Sequence, residues 1–234
     1  GILIMKSKYE KDILPFIEDF NTFINFILEK DPDLSTRTQV LGKNHCFELN
    51  SRLHFQRVAI KASYTQDQYI AIDLFFILAV NSKLFLKQIN NKNKFKLVKT
   101  ACLEEFLNLN IYEEYVFLLE GFWTTYDFKE EFGHDVFEFI QLLNIISRDN
   151  SYSKILKNDV GYGSFFSYNS KITRILRTLG ICELEVIDNV KSKYDDSIKS
   201  IIPTACGIDI CKILTKSALD YINTEIYIID MIGT

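Results

Sequence analysis

A chain of 234 residues with 47% hydrophobic and 25% charged residues has enough apolar surface for a sizeable core, which excludes disorder as its main state. Five Cys, 9 Gly and 3 Pro exclude a disulfide framework, Gly-rich phosphate loops and a turn-dense all-β fold. The net charge of −4 excludes a polycation overall, and the length suits one large domain or two small ones.

In chain order, Gly1–Met5 is apolar but is followed at once by Lys6, Lys8 and Lys11, so it reads as no secretory signal. A start on Gly suggests a tag scar or a domain cut from a longer protein, which makes a missing N-terminal domain a candidate partner. Ile13, Phe16, Ile17, Phe20, Phe23, Ile24 and Ile27 form one apolar stripe and predict a helix over 13–30. Asp31-Pro32 ends it, because the residue before Pro is pushed out of the helical region. A short helix over 46–55 follows, then a loop over 59–65. Gln66 to Ser82 predicts the most apolar helix, buried on most sides.

The period then changes. Leu84–Leu86 and Phe95–Lys99 flank an Asn-rich turn and predict a hairpin. Thr100 is expected to cap a helix over 101–109. Further helices are predicted over 111–124, 132–147 and 164–179, the last stopped by Gly180. Segment 150–163 is the candidate internal boundary. Strands over 181–188 and 197–202 enclose a charged turn. Pro203-Thr204 opens a helix over 205–219, and the tail 221–232 suits a strand or a last helix.

Two stretches repeat. Lys96–Leu107 and Ser200–Cys211 each leave a hairpin, pass through Thr-Ala-Cys and enter a helix. Upstream, each hairpin follows three predicted helices. The expected fold is therefore mainly α with short β-hairpins: two tandem winged-helix-like units packed together, over 1–110 and 111–234. The segments KLVKT (96–100), YEEYVFLLEGFW (112–123), LGICELEVID (179–188) and IIPTACGIDICKIL (201–214) resemble the helical and winged-helix region of plasmid pRiA4b-like open-reading-frame proteins of bacteria. The resemblance implies an architecture. It carries no catalytic residue.

Charge marks the candidate interface. From Leu74 to Leu103 the chain has Lys83, Lys87, Lys92, Lys94, Lys96 and Lys99 and no acid, whereas Glu104 to Glu138 has ten acids and one Lys. Lysines on a wing suit phosphate contact with counterion release. Lys171, Arg174 and Arg177 share one face of a helix at the recognition position. DNA is thus a candidate partner, through Lys87, Lys92, Lys94, Lys96, Lys171, Arg174 and Arg177. The competing reading is a solvated hairpin, since Lys on an edge strand also discourages aggregation. The alternative function is a protein-interaction or scaffold module without nucleic acid or catalysis.

The remaining constellations predict no catalysis, metal or cofactor. His45, Cys46 and His54 lack further ligands at zinc spacing. Asp73, in an apolar helix, is expected to pair with Arg52, Arg57 or a Lys. Glu113-Glu114 and Glu130-Glu131 read as solvated faces. No run approaches the roughly 20 apolar residues that span a bilayer, so no membrane partner is expected. Reduced, mostly buried thiols in the cytoplasm are the expected state of the cysteines.

Overall fold

The first apolar stripe becomes α1, Glu10–Lys30, which buries Ile13, Phe16, Ile17, Phe20, Phe23, Ile24 and Ile27. It ends at Asp31, whose φ of 43° breaks the helical path ahead of Pro32. The structure is a computed structural model that describes residues 8–148, 153–160, 163–167, 170–187 and 197–216. It is mainly helical with two antiparallel hairpins, and it divides into compact units Gly1–Asp127 and Phe128–Thr234. Gly1–Met5, the turn at 189–196 and the tail 221–232 lie outside the described residues, as do parts of the segments 150–163, 164–179, 181–188 and 205–219.

In the first unit, α1 is followed by α2, Lys43–Asn50, and α3, Ile70–Asn81. The helix expected over 66–82 breaks at Tyr69. Residues Gln66–Gln68 form a 3-10 turn instead, with Thr65 and Gln68 as a capping box. The break turns the buried Gln66 inward. Its Oε1 accepts from Leu41 N–H at 2.9 Å and its Nε2 donates to Asp73 at 2.9 Å. β1, Phe85–Ile89, pairs with β2, Phe95–Lys99, in the register Phe85↔Lys99 to Ile89↔Phe95. Asn90 closes the turn, since its side-chain oxygen accepts from Lys92 and Lys94 N–H at 2.9 and 3.0 Å. α4, Ala101–Phe106, and α5, Ile111–Thr125, complete the unit. Asn110 caps α5 through Tyr112 and Glu113 N–H.

α5 belongs with this core. Tyr115 meets Phe16 edge-on at 5.9 Å, Asn21 donates to Glu114 at 3.1 Å, and Asn81 donates to Thr125 O at 3.0 Å. The units therefore divide after Asp127, later than the 110/111 boundary that the repeat suggests. With α5 in place α3 is covered, and Ile72, Leu74, Phe75, Phe76 and Leu78 are buried.

In the second unit the helix expected over 132–147 resolves into α6, Phe128–Phe132, a 3-10 turn at Gly133–Asp135 and α7, Val136–Arg148. The break falls at Gly133, whose φ is 58°. The helix expected over 164–179 is likewise shorter. A 3-10 turn spans Gly163–Phe166 and α8 spans Lys171–Thr178, because the Ser170 side chain accepts from Thr173 N–H and starts a new helix. β3, Cys182–Val186, pairs with β4, Ile198–Pro203. Residues 205–216 are helical and are called α9.

The Thr-Ala-Cys repeat is a repeat of hydrogen bonds. After α3, Lys83 takes a φ of 61° and Leu84 N–H returns to Ala79 O at 3.0 Å. After α8, Gly180 takes a φ of 75° and Ile181 N–H returns to Leu176 O at 2.9 Å. Thr100 Oγ1 donates to Lys83 O at 2.6 Å, and Thr204 Oγ1 to Gly180 O at 2.6 Å. Thr100 stands at the N-cap of α4 as expected, but its hydroxyl ties the hairpin base to the preceding helix and makes no capping bond. Thr204 does both, because it also accepts from Gly207 N–H at 2.9 Å. Gly207 is required by space: a Cβ there would lie 1.8 Å from Ile181 O. Each second strand is also met from upstream. Leu34 N–H donates to Phe95 O at 2.8 Å, and Ile155 and Ile201 exchange two backbone bonds.

Candidate nucleic-acid interface

The seven cations proposed from sequence fall in two places. Lys87, Lys92, Lys94 and Lys96 lie on the first hairpin and Lys171, Arg174 and Arg177 on α8. On the hairpin the register separates them. Lys87 faces the Phe85 and Leu97 side, and its ammonium sits 5.2 Å from the Phe76 ring centre. Desolvation there lowers its pKa from the ordinary lysine value. Lys96 donates to Asp31 O at 2.9 Å, forms an ion pair with the Asp31 carboxylate and stands 3.8 Å from Asp33. It pins the hairpin to the end of α1. Lys92 and Lys94 are exposed in the turn, and their ammonium groups have no partner among the described residues.

Between the hairpin turn and the end of α1 lies an open hollow of about 490 Å³, edged by Lys30, Asp31, Asp33, His45, Lys92 and Lys96. The acids offset much of its positive charge. A run of sequence without acids is therefore not a surface without acids, because Asp31 and Asp33 reach the same place from α1 and the turn after it.

On α8 the three cations form one stripe. The opposite stripe, Ile172, Ile175 and Leu176, is buried. The helix contains no acid. All three cations are half-buried. Lys171 pairs with Glu131 of α6, and Arg174 donates to Ser197 Oγ at 3.4 Å. Arg177 acts electrostatically on Cys182, but burial dominates there and pushes that thiol up to about 12. The stripe is at the surface and held in place by its own unit.

The set-aside constellations resolve individually. Asp73 accepts from Gln66, while Arg52 bridges Glu29 and Glu48 at 3.1 and 2.7 Å. The Cys46 thiol donates to Leu41 O at 3.7 Å, and burial, reinforced by the Asp73 charge, pushes it up to about 12. His54 Nε2 contacts Glu18 at 2.7 Å, and His45 meets Phe26 edge-on. All five cysteines are free thiols, and only Cys102 is exposed. One expected solvated acid is not solvated, since Glu114 is buried against Asn21, while Glu131 is half-buried and holds Lys171.

One polar group has no counterpart in the sequence reading. Asp19 is 1% exposed and accepts from His54 and Phe55 N–H at 2.7 and 3.0 Å. Burial raises its pKa despite those two bonds. Its position three residues after Phe16 and four before Phe23 was a usable signal, because it places a carboxylate within the apolar stripe.

No helix of the described residues is long and apolar enough to cross a membrane. No family model matches the chain, and no curated protein or solved structure matches it.

Proposed function

We propose that the chain is a non-enzymatic protein of two winged-helix-like units that contacts nucleic acid through α8 and the tip of the first hairpin. The observation that carries this reading is the α8 stripe: a helix with no acid of its own, the last before a hairpin, that presents Arg174 and Arg177 beside the Lys171–Glu131 pair. The order supports it in both units. Among the described residues, a helix, a strand-like contact to the later hairpin, three further helical segments, a hairpin and a helix recur. The proposed likeness to pRiA4b-like proteins rests on the same order. The units divide the work unequally. α3 is covered by its own unit and offers no polar face to a groove, so the first unit contributes Lys92 and Lys94 as phosphate contacts only.

The test is titration of a labelled mixed-sequence duplex and a single strand at several salt concentrations. Binding is expected to weaken steeply with salt, and Lys92→Glu with Lys94→Glu to weaken it by about tenfold in low salt. Arg174→Glu is expected to weaken it further, with circular dichroism confirming that the variant is folded. No binding to either probe at low salt overturns the reading. A protein-interaction module is the second reading, favoured by Leu86, Ile89 and Val98, which are 40%, 57% and 40% exposed on the first hairpin.

A further inference from the structure

The first hairpin has one engaged edge and one open edge. Thr100 N–H bonds Leu84 O and Asn90 N–H bonds Lys94 O, so in this register the even-numbered residues of β1 face β2. Lys87 and Ile89 then turn their N–H and C=O outward. Among the described residues these groups have no hydrogen-bond partner. On the other side, β2 is met by Leu34. In the second hairpin, β4 is met by Ile155.

The open edge has a chemical character. Lys96 is matched by Asp31 and Lys99 stands 3.5 Å from Glu104, which leaves Lys83 before β1, Lys87 within it, and Lys92 and Lys94 beyond it. Leu86 and Val98 add exposed apolar surface on one face of the hairpin, and Ile89 lies on the other face with Lys87. We propose that the β1 edge docks an extended segment of a partner protein in which acidic residues alternate with apolar ones, added as a third strand. The segment's backbone would complete the bonds of Lys87 and Ile89, its acids would meet Lys87 on one face, and its apolar side chains would extend the Leu86 and Val98 patch on the other. A second copy on the same edge would set Lys87 against Lys87, a like-charge pair that disfavours self-pairing. A nucleic-acid strand would use the lysines but leave the backbone groups and apolar side chains unmatched. The inference deepens the protein-interaction reading and does not depend on α8.

The probe is a labelled short peptide of alternating Glu and Val, titrated into the full chain, with the Lys–Val peptide as control. The Glu–Val peptide is expected to bind and to slow exchange of the Lys87 and Ile89 amide protons by NMR. Ile89→Pro, which removes an outward donor without touching the hairpin ladder, is expected to weaken binding by about tenfold. Lys87→Glu, at an exposed position, is the second variant and is also expected to weaken it. Any one of four results overturns the inference: no binding of the Glu–Val peptide, equal binding of both peptides, protection of those amides by self-association alone, or binding unchanged in both variants. Duplex binding, measured on the same variants, reports separately on the nucleic-acid reading.

Discussion

Glu114 carries a carboxylate into the contact between α1 and α5 with one hydrogen bond, from Asn21, to hold it. Desolvation raises its pKa above the ordinary 4.5, and the Asn21 bond offsets this only in part. Between the ordinary and the raised value the folded chain holds more protons than the unfolded chain. The contribution of Glu114 to stability therefore falls as pH rises through that window, and it is least favourable at neutral pH. Glu114→Gln keeps an acceptor for Asn21 and removes the charge. It is expected to raise the urea midpoint at pH 7, with the difference shrinking below the ordinary carboxylate range. Equal midpoints at pH 7 would show that the buried charge costs nothing. At this scale the sequence is a partial guide. Glu114, three residues after Ile111 and four before Leu118, and Asp19 both sit on apolar faces, so their burial was readable. Their partners were not, because Asn21 and the His54 and Phe55 amides come from other elements.

The elements show where periodicity stops being informative. It locates α1 and α5 closely but runs past the real starts of α3 and α8. There the chain is turned by side chains that bond the backbone, Thr65 with Gln68 and Ser170 with Thr173, and such local bonds compete with a continuing helix. The helix-to-hairpin joint was visible only as Thr-Ala-Cys. Its mechanism, a left-handed residue clasped by a threonine hydroxyl, becomes evident from comparing the two copies. The copies differ at the left-handed position, with Lys83 in one and Gly180 in the other. Glycine occupies this region without the Cβ penalty. Lys83→Gly is expected to stabilise the chain by about 0.5–1 kcal/mol in urea unfolding, despite the added backbone freedom of the unfolded state. A loss of stability would show that the Lys83 side chain contributes more than its backbone strain removes.

The whole molecule is organised by a covered helix. α3 carries almost no polar surface, so the chain needs α5 to close over it, and this moves the unit boundary to Asp127. Residues 1–127 are expected to unfold cooperatively as a separate fragment. Residues 1–110 should show a broad or absent transition and bind a hydrophobic dye, since Phe16 would lose Tyr115 and Asn81 its bond to Thr125. Calorimetry and dye fluorescence distinguish these outcomes. The boundary was hidden in the sequence because α5 shares the apolar character of the helices on both sides of it, and a repeat of elements does not say which core a helix joins.

The burial of four cysteines has a practical consequence. Cys46, Cys182, Cys206 and Cys211 are shielded, and Cys102 alone stands in solvent at the start of α4, just past the foot of the first hairpin. A maleimide dye mixed briefly with the native protein will therefore report from that one spot, next to the arm, without any engineering of the chain.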